Sequence, residues 1–151
     1  MNQYAELQTT SNFSFLRGAA HPEELVTRAA EQNLNAIAIT DHNTLAGVVR
    51  AHLTARKMNI KLIIGTRLNF TDAPSLLCLP TNRNAYSRLS QLITLGRRRA
   101  PKGECHININ DFLNQSEKQI IISLAPYDVD PTYLNHLREL CHALPHHCFL
   151  A

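Results

Sequence analysis

The residues with the clearest capacity for chemistry are Thr40-Asp41-His42-Asn43, directly after the apolar run Ala36-Ile37-Ala38-Ile39. A carboxylate beside an imidazole can ligate a divalent metal or exchange a proton. The plainer alternative is that Asp41 caps a following helix and His42 is a partly exposed loop residue. A second cluster runs Cys141-His142-Ala143-Leu144-Pro145-His146-His147-Cys148. Zinc needs four convergent donors, yet Cys141 is expected on the core face of a helix and Cys148 in a strand. The stretch therefore reads as a helix end with histidines near its negative pole. The sharpest basic run is Arg97-Arg98-Arg99 with Lys102. It could complement a helix dipole, or touch DNA phosphate or a neighbouring domain, although runs of this length are usually solvated faces. No G-x-S-x-G or P-loop pattern occurs, and Ser11, Ser14 and the thiols of Cys78, Cys105, Cys141 and Cys148 make no case for a nucleophile.

Short apolar runs alternate with longer segments of helical period, and these must position the candidates. Strands are predicted at residues 4–9, 36–40, 61–68, 75–80, 119–125 and 148–151. Pro22-Glu23-Glu24 suits a helix start, with Leu25, Val26, Ala29 and Ala30 on one face through residue 32. Thr44 is placed to cap a helix over 46–58, and Asn84 one over 85–98 with Leu89, Leu92, Ile93 and Gly96 as its buried stripe. Asp130-Pro131 reads as cap and first residue of a last helix, with Leu134, Leu137, Cys141 and Leu144 inward. This rhythm predicts an α/β fold with mainly parallel strands. The continuous apolar runs suit strands covered on both faces, and residues just past such strands face the functional crevice.

Composition bounds the classes. The chain has 151 residues, 44% hydrophobic and 18% charged, as expected of a globular domain with one core. Its formal net charge of +3 is too weak to imply nucleic-acid binding by itself. No apolar run approaches the roughly 20 residues of a membrane helix. The opening Met1–Thr10 has neither the basic start nor the apolar centre of a secretory signal. The scattered cysteines then read as free thiols of a reducing cytosol. About six strands fall short of a full β/α barrel, which takes about 200 residues or more. The last residues, Cys148-Phe149-Leu150-Ala151, are apolar with no polar tail, so the chain is expected to be the front of something longer.

Ser11-Asn12-Phe13-Ser14-Phe15-Leu16-Arg17-Gly18-Ala19 and His21-Pro22-Glu23-Glu24-Leu25-Val26 resemble the opening of the PHP (polymerase and histidinol phosphatase) domain. More narrowly, they resemble the version at the N-terminus of bacterial error-prone C-family DNA polymerases. The runs AIAITDHNTLAGVVRAH, KLIIG, LLCLPTNRNAYSRLSQLIT and RRRAPKGE continue the likeness in order, over about residues 4 to 107 in detail. The resemblance implies a distorted (β/α)7 barrel, of which this chain would carry the N-terminal part without the polymerase domains. Active members hold two or three metal ions at the carboxyl-end mouth, and some act as phosphoesterases or proofreading exonucleases. Their ligands include an H-x-H pair on the first strand, an Asp-His after the second and a Glu after the Gly of the third. Side chains at i and i+2 of a strand point the same way, so such a pair converges on one ion.

Here the sequence departs from the family. The H-x-H positions align with Gln8 and Thr10, an amide and a hydroxyl that bind borderline metals poorly. The Glu position aligns with Arg67, whose cation repels a divalent ion at a cost on the order of several kcal/mol. Only Asp41 and His42 match, and they alone would hold any residual metal. The expectation is therefore a degenerate site without a resident cofactor, in which Arg67 approaches Asp41 and compensates its charge.

The resemblance thus implies a non-catalytic scaffold, inactive alone, within a cytoplasmic DNA-directed DNA polymerase that copies damaged template. Magnesium would belong only to the polymerase site of that parent. Partners would be the remainder of the polymerase chain, DNA through the parent, and accessory mutagenesis proteins, with no membrane. Arg97, Arg98, Arg99 and Lys102 would serve as a DNA or interdomain contact. The rivals are a stand-alone metal-dependent phosphoesterase of the same fold, favoured by Asp41 and His42, and an independent nucleic-acid-binding module. The absence of an aromatic platform speaks against the second.

Overall fold

Ala36–Ile39 forms a strand in which all four residues are buried, and the first half of the molecule is built around it. Its neighbours are β1 (Ala5–Glu6) and β3 (Lys61–Ile64), both parallel to it, which makes Ala36–Ile39 (β2) the central strand of a three-stranded sheet. Ala5 and Lys61 flank Ala36 on either side, and Ile39 pairs with Ile64. The ladder to the first strand extends past β1: Asn35 N–H donates to the Tyr4 carbonyl (2.9 Å) and Thr40 N–H to the Thr9 carbonyl (2.8 Å). Ile37 and Ile39 lie against Val26 and Ala29 of helix α1 (Pro22–Glu31) and Ala51 and Ala55 of helix α2 (Val48–Met58). The period of 2 along the strand meets the period of 3.6 along each helix to close one core. Pro22 opens α1 as its first residue, and Glu24 accepts from His21 N–H (2.7 Å). Asn59 ends α2 in the left-handed region at φ 52, a conformation asparagine tolerates better than most residues.

The structure, a computed structural model, describes residues 4–151. It contains two compact units, the first ending at Arg67 and the second running Leu68–Ala151. The predicted strand over 61–68 is also two strands, β3 and β4 (Thr66–Leu68), separated at Gly65.

In the second unit, β5 (Leu76–Pro80) pairs antiparallel with β6 (Gln119–Ser123), and β6 pairs parallel with β7 (Cys148–Leu150). Helix α3 (Arg83–Arg99) buries Leu89, Leu92, Ile93 and Gly96, the stripe read from its sequence, and Ala85 besides. Its cap is Asn82 rather than Asn84: the Asn82 side chain accepts from Ala85 N–H (2.9 Å). A short helix, α4 (Ile109–Leu113), places Phe112 in the core at 1% exposure, with its ring centroid 5.9 Å from that of Phe70. Helix α5 (Pro131–Ala143) starts where Asp130-Pro131 predicts, and Asp130 accepts from Tyr133 N–H (2.7 Å). Its inward face differs from the expectation. Tyr133, Leu140 and Leu144 are buried, while Leu134 and Cys141 are exposed. Tyr133 lies at 3.0 Å from the Ser123 hydroxyl, a buried polar pairing that sets the rotation of the helix.

Candidate functional site: a carboxylate caged by serines

Asp41 leaves the carboxyl end of β2 and is 1% exposed. A buried carboxylate is costly unless its lone pairs are taken. Here they are taken by the loop that follows the first strand. Ser11 N–H donates to Oδ1 at 2.8 Å, the Ser11 hydroxyl to Oδ2 at 2.6 Å, and the Ser14 hydroxyl to Oδ1 at 2.6 Å. Ser11 and Ser14 are themselves buried. Hydrogen bonds to an ionised acceptor are the short, strong kind, so three of them at once anchor the whole loop. Both hydroxyls serve twice. Ser14 Oγ accepts from His42 N–H (2.9 Å), and Ser11 Oγ accepts from Phe13 N–H (3.2 Å).

The loop is folded tightly around this anchor. Ser14, Arg17 and Gly18 close turns on one another, with Ser14 N–H bonded to the Ser11 carbonyl and Arg17 N–H and Gly18 N–H both bonded to the Ser14 carbonyl. Gly18 lies so near the main chain that a Cβ there would sit 2.3 Å from the Ser11 carbonyl oxygen. The outer side of the loop shows Phe15 and Leu16, 85% and 88% exposed, with Leu16 in the left-handed region at φ 60.

On its other side, Asp41 meets β4. Arg67 N–H donates to the Asp41 carbonyl (3.0 Å) and Asn43 N–H to the Arg67 carbonyl (2.9 Å), so His42 and Arg67 form a parallel bridge. The Thr66 hydroxyl also donates to the Asp41 carbonyl (2.6 Å) and accepts from Thr44 N–H (3.3 Å). Thr44 was expected to cap the next helix. Its hydroxyl instead accepts from Ala46 N–H two residues on (3.2 Å), and α2 starts at Val48 with Gly47 as its cap residue.

The sequence-derived site residues fall as follows. Asp41, His42 and Arg67 are brought together, through their main chains. Thr10 is half-buried, Gln8 is exposed, and both follow β1 rather than lying within it. The Arg67 guanidinium is held below its ordinary basicity, first by desolvation and then by the like charge of Arg17. Hydroxyls and an amide meet the Asp41 carboxylate, and these are the groups of Ser11 and Ser14 that sequence reasoning set aside. The one signal that could have found them is the Ser-x-x-Ser spacing, which places two hydroxyls on the inside of one turn. Among the described residues, no group of three or more His, Cys, Asp or Glu side chains is gathered as a metal site would need. A surface hollow of about 670 Å³ lies by the opposite end of β3, lined by Asn35, His52, Arg56 and Lys61 among others, and by none of the predicted site residues.

The basic run lies in the second unit. Arg97, Arg98 and Arg99 are exposed in the last turn of α3, and Lys102 is exposed just beyond it. Arg99 is paired with Asp111, which also closes a capping box with Asn108 at the start of α4. The hydrogen bond from Arg99 holds the Asp111 carboxyl below its ordinary value of 3.8, against desolvation. A carboxyl depressed in the folded state adds stability above its unfolded value, and that stability is lost as pH falls through the folded value. Arg99→Gln is therefore expected to lower stability above about pH 4 by the modest worth of a partly exposed pair, and to converge with the wild type as pH falls through the folded value. Urea unfolding at a series of pH values checks this.

Parallel strands whose carboxyl ends carry the polar residues, backed by paired helices, define an α/β fold shared with two proteins of solved structure. A protein described as a metal-dependent phosphoesterase from Bifidobacterium adolescentis superposes with a TM-score of 0.64 at 14% identity, over 90% of this chain and 74% of that one. An amidohydrolase from Chromobacterium violaceum superposes with a TM-score of 0.68 at 15% identity, over 96% and 75%. The PHP domain family matches residues 6–141, and the chain belongs to that family. Among curated proteins, an error-prone DNA polymerase of Caulobacter vibrioides is 50% identical over 149 residues, 98% of this chain and 14% of that protein. Error-prone DNA polymerases of Ruegeria pomeroyi and Dechloromonas aromatica are 40% and 54% identical over 185 and 110 residues. The chain spans only 17% and 11% of their lengths.

Proposed function

We propose that this chain is the N-terminal PHP segment of an error-prone DNA polymerase, acting in damage-tolerant DNA synthesis as a structural scaffold and not as a hydrolase. The observation that carries this reading is the saturation of Asp41 by Ser11 and Ser14. A metal cluster of the family kind does not fit this donor set. The carboxylate would have to give up three short hydrogen bonds, and Gln8, Thr10 and Arg67 stand where imidazole and carboxylate ligands would be needed. The aspartate that elsewhere binds an ion is here a structural fastener.

The rest of the polymerase is the partner in this reading. Curated relatives run to several times the length of this chain. The exposed Phe15 and Leu16, displayed on a loop pinned from within, suit burial against such a neighbour. The basic run Arg97, Arg98, Arg99 and Lys102 suits a contact with DNA or with another domain of the parent. Magnesium and primer extension belong to the parent's own polymerase site, in a cytoplasmic protein. In this chain, no helix is long and apolar enough to cross a membrane among the described residues.

The test is equilibrium dialysis of the chain against manganese and zinc, metal analysis, and an assay on a generic phosphodiester. The expected result is no stoichiometric ion that depends on Asp41 and no turnover. Stoichiometric manganese with turnover, both abolished by Asp41→Asn, would replace this reading with that of a phosphoesterase.

A further inference from the structure

The end of α5 and the start of β7 bring Cys141 and Cys148 together. The Cys141 thiol points at Cys148 Sγ, with the sulfurs 3.3 Å apart. A disulfide bond closes at about 2.05 Å, so a modest turn of either side chain spans the gap. The approach is fixed by the main chain on both sides. Leu144 N–H bonds to the Leu140 carbonyl (2.9 Å) and His147 N–H to the Leu144 carbonyl (3.1 Å), which closes the turn between helix and strand. Ile121 N–H bonds to the His147 carbonyl (2.8 Å), and Cys148 is in register with Ile121.

The two thiols differ in environment. Cys141 is exposed on the outer side of α5, and Cys148 is half-buried in the strand. Burial, reinforced by the neighbouring Cys141, pushes the Cys148 thiol up to about 12. Cys141 is thus the sulfur that a dissolved reagent meets first, and Cys148 is the sulfur held behind it. The other two cysteines have no such neighbour arrangement: Cys78 is fully buried with its thiol on Gln119 Oε1, and Cys105 lies against the Ile93 carbonyl.

We propose that Cys141 and Cys148 form a vicinal dithiol site that reacts with low-molecular-weight disulfides and closes to an intramolecular disulfide. In the first step the Cys141 thiolate attacks one sulfur of the reagent disulfide. Its S–S bond breaks, and one thiolate leaves and takes up the proton that Cys141 lost. In the second step Cys148 gives up its proton and attacks Cys141 Sγ, expelling the second thiol. The two protein thiols are oxidised by two electrons, and the reagent disulfide is reduced to two thiols. The product staples β7, which carries only three residues, to the helix before it. Closing so short a loop is expected to raise Tm by about 5 °C.

The experiment incubates the full chain with oxidised glutathione, quenches with acid and measures intact mass and the peptide map. The expected result is loss of the mass of two hydrogen atoms, a cross-linked peptide joining Cys141 to Cys148, reversal by dithiothreitol, and accumulation of a glutathione adduct on Cys141 in the Cys148→Ser variant. A lasting adduct on Cys141 in the wild-type chain, a cross-link through Cys78 or Cys105, or continued alkylation of both thiols after incubation would each overturn the proposal.

Discussion

Asp41→Ala is expected to lower the stability of the chain by about 3–5 kcal/mol, or roughly 10 °C in Tm. The side chain accepts one amide and two hydroxyl hydrogen bonds in a place that water does not reach. Alanine strands all three donors at once, and the two hydroxyls also lose the orientation in which they receive His42 N–H and Phe13 N–H. Asp41→Asn separates shape from charge. Its amide oxygen can keep Ser11 N–H and the Ser14 hydroxyl, while its NH2 group turns toward Ser11 Oγ. A loss of about 1–2 kcal/mol is expected for that variant. Urea unfolding followed by far-UV circular dichroism measures both. Equal stability of the alanine variant and the wild type would mean that the serine cage holds nothing in place.

The second large effect is expected at Gly18. An alanine Cβ would lie 2.3 Å from the Ser11 carbonyl oxygen and 2.7 Å from that of Thr10, and both are main-chain atoms. They cannot swing aside, because Ser11 is tied to Asp41 and Asn12 N–H to the Ala20 carbonyl (2.9 Å). The loop must therefore lift from Asp41, at a cost of about 3 kcal/mol or more. Amide hydrogen exchange should accelerate at Ser11, Ser14 and His42 while β6 keeps its protection. Gly96 provides the contrast. A Cβ there would press on Ile107 Cγ1 and Cys105 Sγ, at 2.4 and 2.8 Å, side-chain atoms rather than main chain, with the His106 carbonyl oxygen next at 3.2 Å. Gly96→Ala should cost less, about 1–3 kcal/mol. Unchanged exchange at Ser14 in Gly18→Ala would refute the account of the loop.

What was readable beforehand follows from the range of the forces involved. The run at Ala36–Ile39 announces a strand covered on both faces because four consecutive apolar residues have no solvent side. Asp130-Pro131 announces a helix start because cap and first residue are local chemistry. The rotation of α5 was not readable. Leu134, Leu137, Cys141 and Leu144 make as good a helical stripe as Tyr133, Leu137, Leu140 and Leu144. The choice is made by Ser123, a strand residue whose hydroxyl pairs with that of Tyr133. Asn82 and Asn84 could each cap α3, and nothing within the pair decides between them. At the candidate site, the placement of the Asp-His couple after β2 was legible, and Arg67 reaches it through main-chain hydrogen bonds. The cage was not, because Ser11 and Ser14 reach Asp41 across 30 and 27 positions of chain. No local pattern records so distant a partnership, and two serines in a loop look like solvent-facing residues until the carboxylate is seen beneath them.

The three parallel strands of the first unit also constrain when it can form. Ala36 must meet both Ala5 and Lys61, so neither edge of the sheet is made from neighbours in sequence. Each pairing waits on a complete intervening helix, and such topologies assemble slowly. Yet every partner in that sheet has been synthesised by the time Arg67 leaves the ribosome. Once Arg67 has emerged, the two crossovers, and not the supply of chain, limit how fast this unit forms.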